Sequence, residues 1–179
     1  GAYSPVPFIT EELQYSIEEN ILVPIIHAMK KENRPYKGVI YAGLIITSAG
    51  PKVLEFNARF GDPETQPIMM RLQSDLVGLC NSALDGILNE TDAQWDTRCA
   101  IGVVLAAGGY PGEYVSGMSI HGLDALLGDT IKVFHAGTVR DGDGRWRTAG
   151  GRVLGVCAVA PRVADATARA YAAVDRISW

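Results

Sequence analysis

The sequence predicts an α+β fold: an antiparallel sheet with packed helices, followed by a small β-rich domain that forms a partial barrel and ends in a helix. Apolar residues recur at helical spacing in residues 11–31 and 74–88, which predicts two helices before the second domain. Beyond Asp96 the chain consists of short β-like runs separated by glycine. We therefore expect two domains, residues 1–94 and 95–179, divided near Thr91 to Trp95.

The first helix is predicted to begin after a loop at residues 1–8. Thr10 can cap it, and Glu11 and Glu12 place negative charge in its first turn, where the helix dipole favours it. Pro24 lacks an N–H group and should kink or divide the helix, which ends before Pro35. Apolar residues recur at every fourth position and are predicted to form its buried face: Leu13, Ile17, Ile21 and Ile25.

A β-hairpin follows, with a largely buried strand at residues 36–47, a tight turn at 48–51 and an antiparallel partner at 52–57. Residues 61–67, "GDPETQP", are predicted to be a loop. Ser74 is the candidate cap of the next helix. The apolar stripe of that helix comprises Leu76, Leu79, Cys80, Ala83, Leu84, Ile87 and Leu88.

The second domain is predicted to be antiparallel, with a hairpin turn at residues 140–145, "RDGDGR". Its β-like runs are residues 98–107, 130–139, 145–150 and 152–160. The terminal helix starts near Pro161 and carries Val163, Ala166, Ala170, Val174 and Ile177 on one side.

Composition and charge argue against several classes of partner. The net charge is -4 and the basic residues are dispersed, so we expect no binding to nucleic acid or to an anionic membrane. The longest apolar runs are too short to span a bilayer, and the N-terminus lacks the pattern of a signal peptide, which predicts a cytoplasmic protein. The chain begins at Gly1 without methionine and stops at Trp179, so we expect a piece of a longer protein.

The three cysteines, Cys80, Cys99 and Cys157, are widely separated among apolar neighbours. This spacing excludes a metal knuckle and favours buried free thiols. We expect His27 to have a packing or surface role and not to act as an acid or base. For His121 and His135 we expect structural hydrogen bonds in preference to a place in an active cleft.

Charged and amide side chains interrupt the second strand of the hairpin. Because side chains alternate along a strand, Val53, Glu55 and Asn57 should point one way, and Leu54 and Phe56 the other. A carboxylate oxygen beside an amide oxygen is the hard ligand pair that suits Mg²⁺, which takes waters and phosphates as its other ligands. The sequence therefore predicts a metal site at Glu55 and Asn57.

The residues that follow extend this polar segment. Arg59 could bind a phosphate or carboxylate, and Asp62 and Glu64, in a loop constrained by glycine and proline, could hold an amine. In the alternative interpretation Glu55 and Asn57 are solvated and Arg59 pairs with Asp62 on the surface. Six polar or charged side chains within residues 55–65 favour the functional interpretation.

The stretch "KVLEFNARFGDPETQPIMMRLQSDLVGLC" closely resembles the signature region of phosphoribosylamine–glycine ligases, which belong to the ATP-grasp superfamily. The similarity covers essentially the whole chain and includes "GAYSPVP", "YAGLIIT", "VVLAAGGYPG", "VFHAGT" and "TAGGRVLGV". It implies the second half of an ATP-grasp catalytic core, followed by the C-terminal domain of these ligases, truncated at its end.

The resemblance implies a reaction and its substrates. ATP phosphorylates the carboxylate of glycine, and the amine of 5-phosphoribosylamine attacks the glycyl phosphate, giving glycinamide ribonucleotide, ADP and phosphate in purine biosynthesis. No covalent enzyme intermediate is needed, so catalysis would depend on positioning and electrostatics. The full-length ligase is expected to be a monomer.

The resemblance also implies residue roles. Glu55 and Asn57 would bind the Mg²⁺ or Mn²⁺ that bridges ATP phosphates, and Leu54 would lie in the apolar bed beneath adenine. Arg59 would contact the transferring phosphate. Asp62 and Glu64, in the "GDPET" loop, would position the glycine or amine end of the substrates.

Two departures from the family pattern qualify this expectation. Many ATP-grasp enzymes have another acidic metal ligand on the paired strand, but Gly38 to Ile46 contains no Asp or Glu, so phosphate and water would complete the shell. The N-terminal domain and the ATP-grasp lid of the family have no counterpart before Gly1, so we expect this chain alone to be inactive. The remaining hypotheses are another ATP-grasp carboxylate–amine ligase and a non-catalytic binding module.

Overall fold

A computed structural model describes residues 1–125 and 128–179 of the chain. The described residues form two compact units. The sheet unit comprises Gly1–Pro5, Asp62–Gln73 and Trp95–Trp179, and the hairpin unit comprises Val6–Gly61 and Ser74–Gln94. None of the helices in the described part of the chain has the length and apolar character needed to cross a membrane.

The elements are numbered along the chain. The strands are β1 (Ala2–Ser4), β2 (Tyr41–Thr47), β3 (Gly50–Asn57), β4 (Cys99–Ala106), β5 (Ile131–His135), β6 (Thr138–Arg140), β7 (Trp146–Thr148) and β8 (Arg152–Ala160). The α-helices are α1 (Glu11–Ile17), α2 (Val23–Lys31), α3 (Thr65–Arg71), α4 (Leu76–Asp85) and α5 (Val163–Val174).

The N-terminal helical segment of the hairpin unit is divided as predicted. The Thr10 hydroxyl accepts the N–H of Leu13 at 3.2 Å, which confirms the cap of α1. A π-helical turn, Glu18–Leu22, separates α1 from α2, and Pro24 lies in the first turn of α2. Proline removes the backbone donor that would continue the α-helical ladder at this point, so the widened turn falls just before it.

The β2–β3 hairpin confirms the antiparallel pairing, but its first strand begins at Tyr41 instead of Tyr36. The burial predicted for this first strand was wrong: Ile45 is 48% exposed and Ile46 is 38% exposed. Among the described residues the hairpin pairs with no third strand, so its apolar side chains are not covered by a sheet.

Helix α4 is capped by Asp75, not by Ser74 as predicted. The Asp75 carboxylate accepts the N–H groups of Val77 and Gly78, while the Ser74 hydroxyl accepts the N–H of Gln94 at 2.7 Å. The helix ends at Asp85 and is followed by Gly86, whose φ of 79° is the left-handed conformation that glycine adopts at a helix C-terminus.

The sheet unit is built on one antiparallel sheet in the order β1-β4-β8-β5. Strand β1 lies where a loop was predicted: Ala2 pairs with Gly102, so the chain start is an edge strand. Helix α3 occupies part of the predicted "GDPETQP" loop and packs on β4 and β8. These contacts place Gly1–Pro5 and Asp62–Gln73 with the second half of the chain, and the division at residues 94 and 95 stays a prediction.

The core of the sheet unit lies around β8. Val153, Val156 and Ala158 are completely buried on this central strand, and α5 covers it with Ala166 and Ala170. Those two alanines belong to the apolar side predicted for the terminal helix. Only small side chains allow the helix backbone to approach the sheet this closely.

The three thiols are free, and burial differs among them. Cys157 is buried, Cys99 is half-buried and Cys80 is exposed, so the prediction of buried thiols was correct for Cys157 and wrong for Cys80. Burial raises the pKa of the Cys157 thiol to about 12, which keeps it neutral.

A network of hydrogen bonds ties α3 to the segment before β4. The Arg71 guanidinium donates to the carbonyl oxygens of Asp96 and Arg98 and to the Ser4 hydroxyl. Arg98 in turn donates to the Asp96 carboxylate from its side chain and its backbone. The side-chain hydrogen bond from Arg98 is the largest cause, and its backbone hydrogen bond the next, of the lowering of the Asp96 pKa from 3.8 to about 2.

The Asp96 pKa predicts acid sensitivity of the sheet unit. Its folded pKa lies below its unfolded value of 3.8, so the stabilisation is complete above that value and is lost as pH falls to about 2. We expect the urea midpoint of the unaltered chain to fall as pH is lowered from 3.8 to about 2, and the midpoint of Asp96→Asn to fall less over the same range. Asp143→Asn serves as the control, because Asp143 makes no salt bridge within the described residues. An equal pH dependence of Asp96→Asn and the unaltered chain would contradict the prediction.

Candidate functional site

Glu55 and Asn57 lie at the end of β3, where the Asn57 side-chain amide donates to Oε1 of Glu55 at 2.9 Å. The two side chains therefore share one face of the strand, as predicted. Asn57 pairs with Tyr41 across the hairpin, which holds the backbone of this end. Their role as metal ligands stays a prediction.

The donor set of this pair fits a hard divalent cation. Glu55 offers carboxylate oxygens and Asn57 offers one amide oxygen, and in this structure the Asn57 NH₂ group faces Oε1 of Glu55. Among the described residues there is no group of three or more His, Cys, Asp or Glu side chains that could enclose a metal. Two oxygen ligands of this type suit Mg²⁺ or Mn²⁺ with phosphate and water as further ligands.

A β-bulge sets the local direction of β3. Gly43 pairs with Glu55 and Leu44 pairs with Val53, so Leu54 is an extra residue in the strand. The predicted alternation from Val53 through Leu54 to Glu55 was therefore wrong, because a bulge interrupts the period of two. Bulges redirect the side chains that follow them, and here the next residue is the candidate ligand Glu55.

Gly43 makes room for the Glu55 side chain. A Cβ atom at Gly43 would lie 3.2 Å from Cγ of Glu55, closer than ordinary van der Waals contact. In the sequence, Gly43 stands in a strand without a carboxylate. A glycine inside a strand is itself a signal for close approach of a neighbour, and this signal could have identified the position.

The neighbouring candidates Leu54 and Arg59 are both accessible. Leu54 is 68% exposed, so an apolar surface is available where an adenine ring was predicted to lie. The exposed Arg59 side chain donates from Nη1 to the carbonyl of Phe60 at 2.9 Å. Neither predicted role is tested by this geometry.

Asp62 and Glu64 lie in the sheet unit, at the approach to α3. Oδ2 of Asp62 is 3.0 Å from Nη2 of Arg152, and the two side chains are 59% and 41% exposed. Glu64 is the N-cap residue of α3, without a capping hydrogen bond from its side chain. The structure thus places Asp62 beside Arg152, which was not among the predicted site residues although "TAGGRVLGV" contains it.

The predicted residues accordingly divide between the two units. Glu55, Asn57, Arg59 and Leu54 are in the hairpin unit, whereas Asp62 and Glu64 are in the sheet unit. Within the units, the structure brings Glu55 to Asn57 and Asp62 to Arg152.

His135 has the structural contacts that were expected. Its ring stacks on Trp146 with a centroid distance of 3.9 Å, and Nδ1 lies 3.0 Å from the Thr138 hydroxyl. Burial, with a further contribution from Arg140, lowers the His135 pKa. The residue also borders a cavity of about 620 Å³, with Met69 among its other lining residues.

Two models of one protein family match most of the chain. The phosphoribosylglycinamide synthetase ATP-grasp (A) domain matches residues 1–65, and the phosphoribosylglycinamide synthetase C domain matches residues 100–179. Between them the two matches include Glu55, Asn57, Arg59, Asp62 and Arg152.

Curated relatives agree with this match. The chain is 54% identical over 180 residues to a phosphoribosylamine–glycine ligase from Allochromatium vinosum and 52% identical to one from Salmonella typhimurium. Both alignments cover 100% of this chain and 42% of the relative, so the chain spans less than half the length of these proteins.

Solved structures show the same fold. A phosphoribosylamine–glycine ligase from Thermotoga maritima superposes with a TM-score of 0.76 at 28% identity, covering 98% of this chain and 42% of that one. An N5-carboxyaminoimidazole ribonucleotide synthetase from the same organism gives a TM-score of 0.63 at 16% identity, with 98% and 44% covered. The second likeness concerns the fold alone.

Proposed function

Because this chain belongs to the phosphoribosylglycinamide synthetase family, we propose that it is the metal- and substrate-holding part of an ATP-dependent carbon–nitrogen ligase. The whole protein would ligate glycine to 5-phosphoribosylamine through a glycyl phosphate, releasing ADP and phosphate, in purine biosynthesis. The observation that carries this proposal is the pairing of the Glu55 and Asn57 side chains, joined by a 2.9 Å hydrogen bond in a segment that matches the family's ATP-grasp domain.

The hairpin unit supplies the groups for the nucleotide. Glu55 and Asn57 would hold Mg²⁺ or Mn²⁺, which supplies positive charge to neutralise the phosphates when bound. The Arg59 guanidinium, exposed apart from its bond to the Phe60 carbonyl, would donate to a phosphate oxygen. The exposed Leu54 side chain would provide apolar contact for adenine.

The sheet unit supplies the groups for the amino acid or amine. The Asp62 carboxylate accepts from a cation already, since Arg152 lies 3.0 Å away, and would accept from an ammonium group in the same way. Glu64 precedes α3 and is held by the helix, because its carbonyl accepts the N–H of Ile68. A reaction without a covalent enzyme intermediate depends on the positioning of its substrates by such groups.

We further propose that the full-length ligase is a cytoplasmic monomer that requires neither nucleic acid nor membrane. The net charge of -4 with dispersed basic residues supports the absence of polyanion binding. The three free thiols fit a reducing compartment.

The test is ADP release by the intact protein in the presence of ATP, Mg²⁺, glycine and 5-phosphoribosylamine. We expect release to require both glycine and the amine, and to be abolished in Glu55→Ala with an unchanged circular dichroism spectrum. Release that depends on a different carboxylate or amine would assign the chain to another ATP-grasp ligase. If no ADP is released under any of these conditions, the proposal that the protein is a ligase is wrong.

A further inference from the structure

A cavity in the sheet unit is lined by basic side chains that the proposed function does not use. Its volume is about 380 Å³, and it lies between residues 119–124 and the two-stranded β6–β7 ribbon, so we refer to it as the ribbon cavity. Its lining includes His121, Asp124, Arg140, Arg145 and Trp146. Two guanidinium groups against one carboxylate give this lining an excess of positive charge, which attracts anions.

The two arginines of the ribbon cavity have no carboxylate partner within the described residues. The salt bridges of this part of the chain use other arginines: Arg98, Arg147, Arg152 and Arg162. Arg145 does donate to Oδ1 of Asp141 at 2.9 Å, but from its backbone N–H and not from its side chain. The Arg145 guanidinium therefore remains available as a donor to a ligand.

The carboxylate of Asp141 lies in the same turn as Arg145, but it is already occupied. Oδ1 accepts the N–H groups of Asp143 and Arg145, and Oδ2 lies 2.8 Å from Nε of Arg147. These contacts fix the turn between β6 and β7 and pair the Asp141 charge with Arg147. The charges of the two arginines in the ribbon cavity are thus left without compensation from the turn.

An aromatic side chain orients Arg140. The guanidinium carbon of Arg140 lies 4.8 Å from the centre of the Trp146 ring, and the His135 ring stacks on the same indole at 3.9 Å. A guanidinium that stacks on an aromatic ring uses its face and keeps its N–H groups for other partners. Arg140 is therefore held in place while its donors stay free for a ligand.

Residues 119–124 contribute further donors from a segment with a fixed backbone. The N–H of His121 donates to the carbonyl of Ser178 at 2.9 Å, and the N–H of Ile120 donates to the carbonyl of Trp146 at 2.8 Å. The Ser119 hydroxyl and the His121 imidazole, which also line the cavity, can both donate to an anion.

This set of donors favours a phosphate group over a carboxylate. One planar guanidinium fork is enough to satisfy the two oxygens of a carboxylate. Two forks with a hydroxyl and an imidazole call for more acceptor oxygens and more negative charge. A phosphate group offers at least three oxygens and carries about two negative charges at pH 7.

We propose that the ribbon cavity binds a phosphate group, either as inorganic phosphate or as a phosphate monoester. Arg140 and Arg145 donate to its oxygens, and Trp146 orients Arg140. The site uses none of the residues assigned above to metal, nucleotide, amino acid or amine, so it goes beyond the proposed function and does not rest on it.

The experiment is a titration of the intact protein, followed by the NMR signal of the Trp146 indole N–H, which is assigned with Trp146→Phe. The probes are inorganic phosphate, glycerol 3-phosphate and acetate at constant ionic strength. We expect both phosphate compounds to shift the signal to saturation, and acetate to bind at least about tenfold more weakly. The tighter of the two phosphate compounds identifies the source of the group, and either result supports the inference.

Arg145→Gln tests the contribution of a guanidinium. It removes an exposed side chain and leaves the turn intact, because the turn uses the Arg145 backbone. We expect phosphate binding to weaken about tenfold, since a hydrogen bond between charged groups is lost. Arg145→Lys keeps the charge and should recover part of the affinity. Arg34→Gln, the same change at an exposed arginine of the hairpin unit, should bind phosphate as the unaltered protein does.

His135 provides a second readout. Burial and, after it, the charge of Arg140 lower the His135 pKa. A phosphate group beside Arg140 offsets this charge, so added phosphate should raise the His135 pKa measured from its imidazole proton shifts. The inference is overturned if neither phosphate compound shifts the Trp146 signal, if acetate binds as tightly, if Arg145→Gln keeps full affinity, or if phosphate leaves the His135 pKa unchanged.

Discussion

Replacing Glu55 by glutamine is expected to lower the affinity for Mn²⁺ by about a hundredfold. Two unit charges about 4 Å apart interact by about 4 kcal/mol at the effective dielectric constant of a protein surface. The carboxylate is the charged member of the pair, while Asn57 contributes only a dipole. Solvent screening at this exposed strand end reduces the full value, and glutamine retains the size and one oxygen of the side chain.

The measurement is Mn²⁺ titration followed by electron paramagnetic resonance, in which free Mn²⁺ gives the signal. Glu19→Gln is the matched control, since it removes one exposed carboxylate from the hairpin unit away from β3. Equal Mn²⁺ affinities of Glu55→Gln and Glu19→Gln would show that the β3 pair is the solvated face of an amphipathic strand.

Replacing Gly137 by alanine is expected to destabilise the sheet unit by about 3 kcal/mol, at the upper end of the usual cost of overpacking. A Cβ atom at Gly137 would lie 2.7 Å from the Arg152 carbonyl oxygen and 2.7 Å from Cα of Gly150. Both neighbours are backbone atoms that cannot move aside by a rotamer change. The Gly137 N–H also donates to the Arg152 carbonyl at 2.8 Å, so relief of the clash would break this bond.

Urea denaturation of Gly137→Ala, compared with Gly142→Ala, provides the measurement. An alanine at Gly142 meets no atom within 4 Å, so this control adds the same methyl group without the clash. We expect the midpoint of Gly142→Ala to remain close to that of the unaltered chain. Similar midpoints for the two variants would mean that the Gly137 backbone relaxes freely and that the glycine is not required by packing.

The Gly137–Gly150 contact also explains two motifs as structural features. "VFHAGT" and "TAGGRVLGV" contribute one glycine each to this close approach, and the second motif also provides Arg152. In the sequence, both motifs are marks of resemblance to the family. In the structure, the two motifs form a place where two backbone segments approach too closely for a side chain, next to Arg152, which pairs with Asp62.

Local patterns in the sequence were sufficient for the features formed by neighbouring residues. Thr10 was identified as a cap because its partner, the N–H of Leu13, is three residues away. The Glu55–Asn57 pair converges because two residues along a strand return to the same face. The short distance along the chain makes such features readable from periodicity and capping rules alone.

The tertiary structure decided the features that join distant residues or override a local period. Ala2 pairs with Gly102 and Asp62 with Arg152, contacts for which no local pattern exists. The bulge at Leu54 depends on the register of the partner strand, which alternation within β3 cannot reveal. Oε1 of Gln66 is buried with no hydrogen-bond partner among the described residues only after α3 has packed on the sheet, because burial is a property of the folded chain and not of the residue.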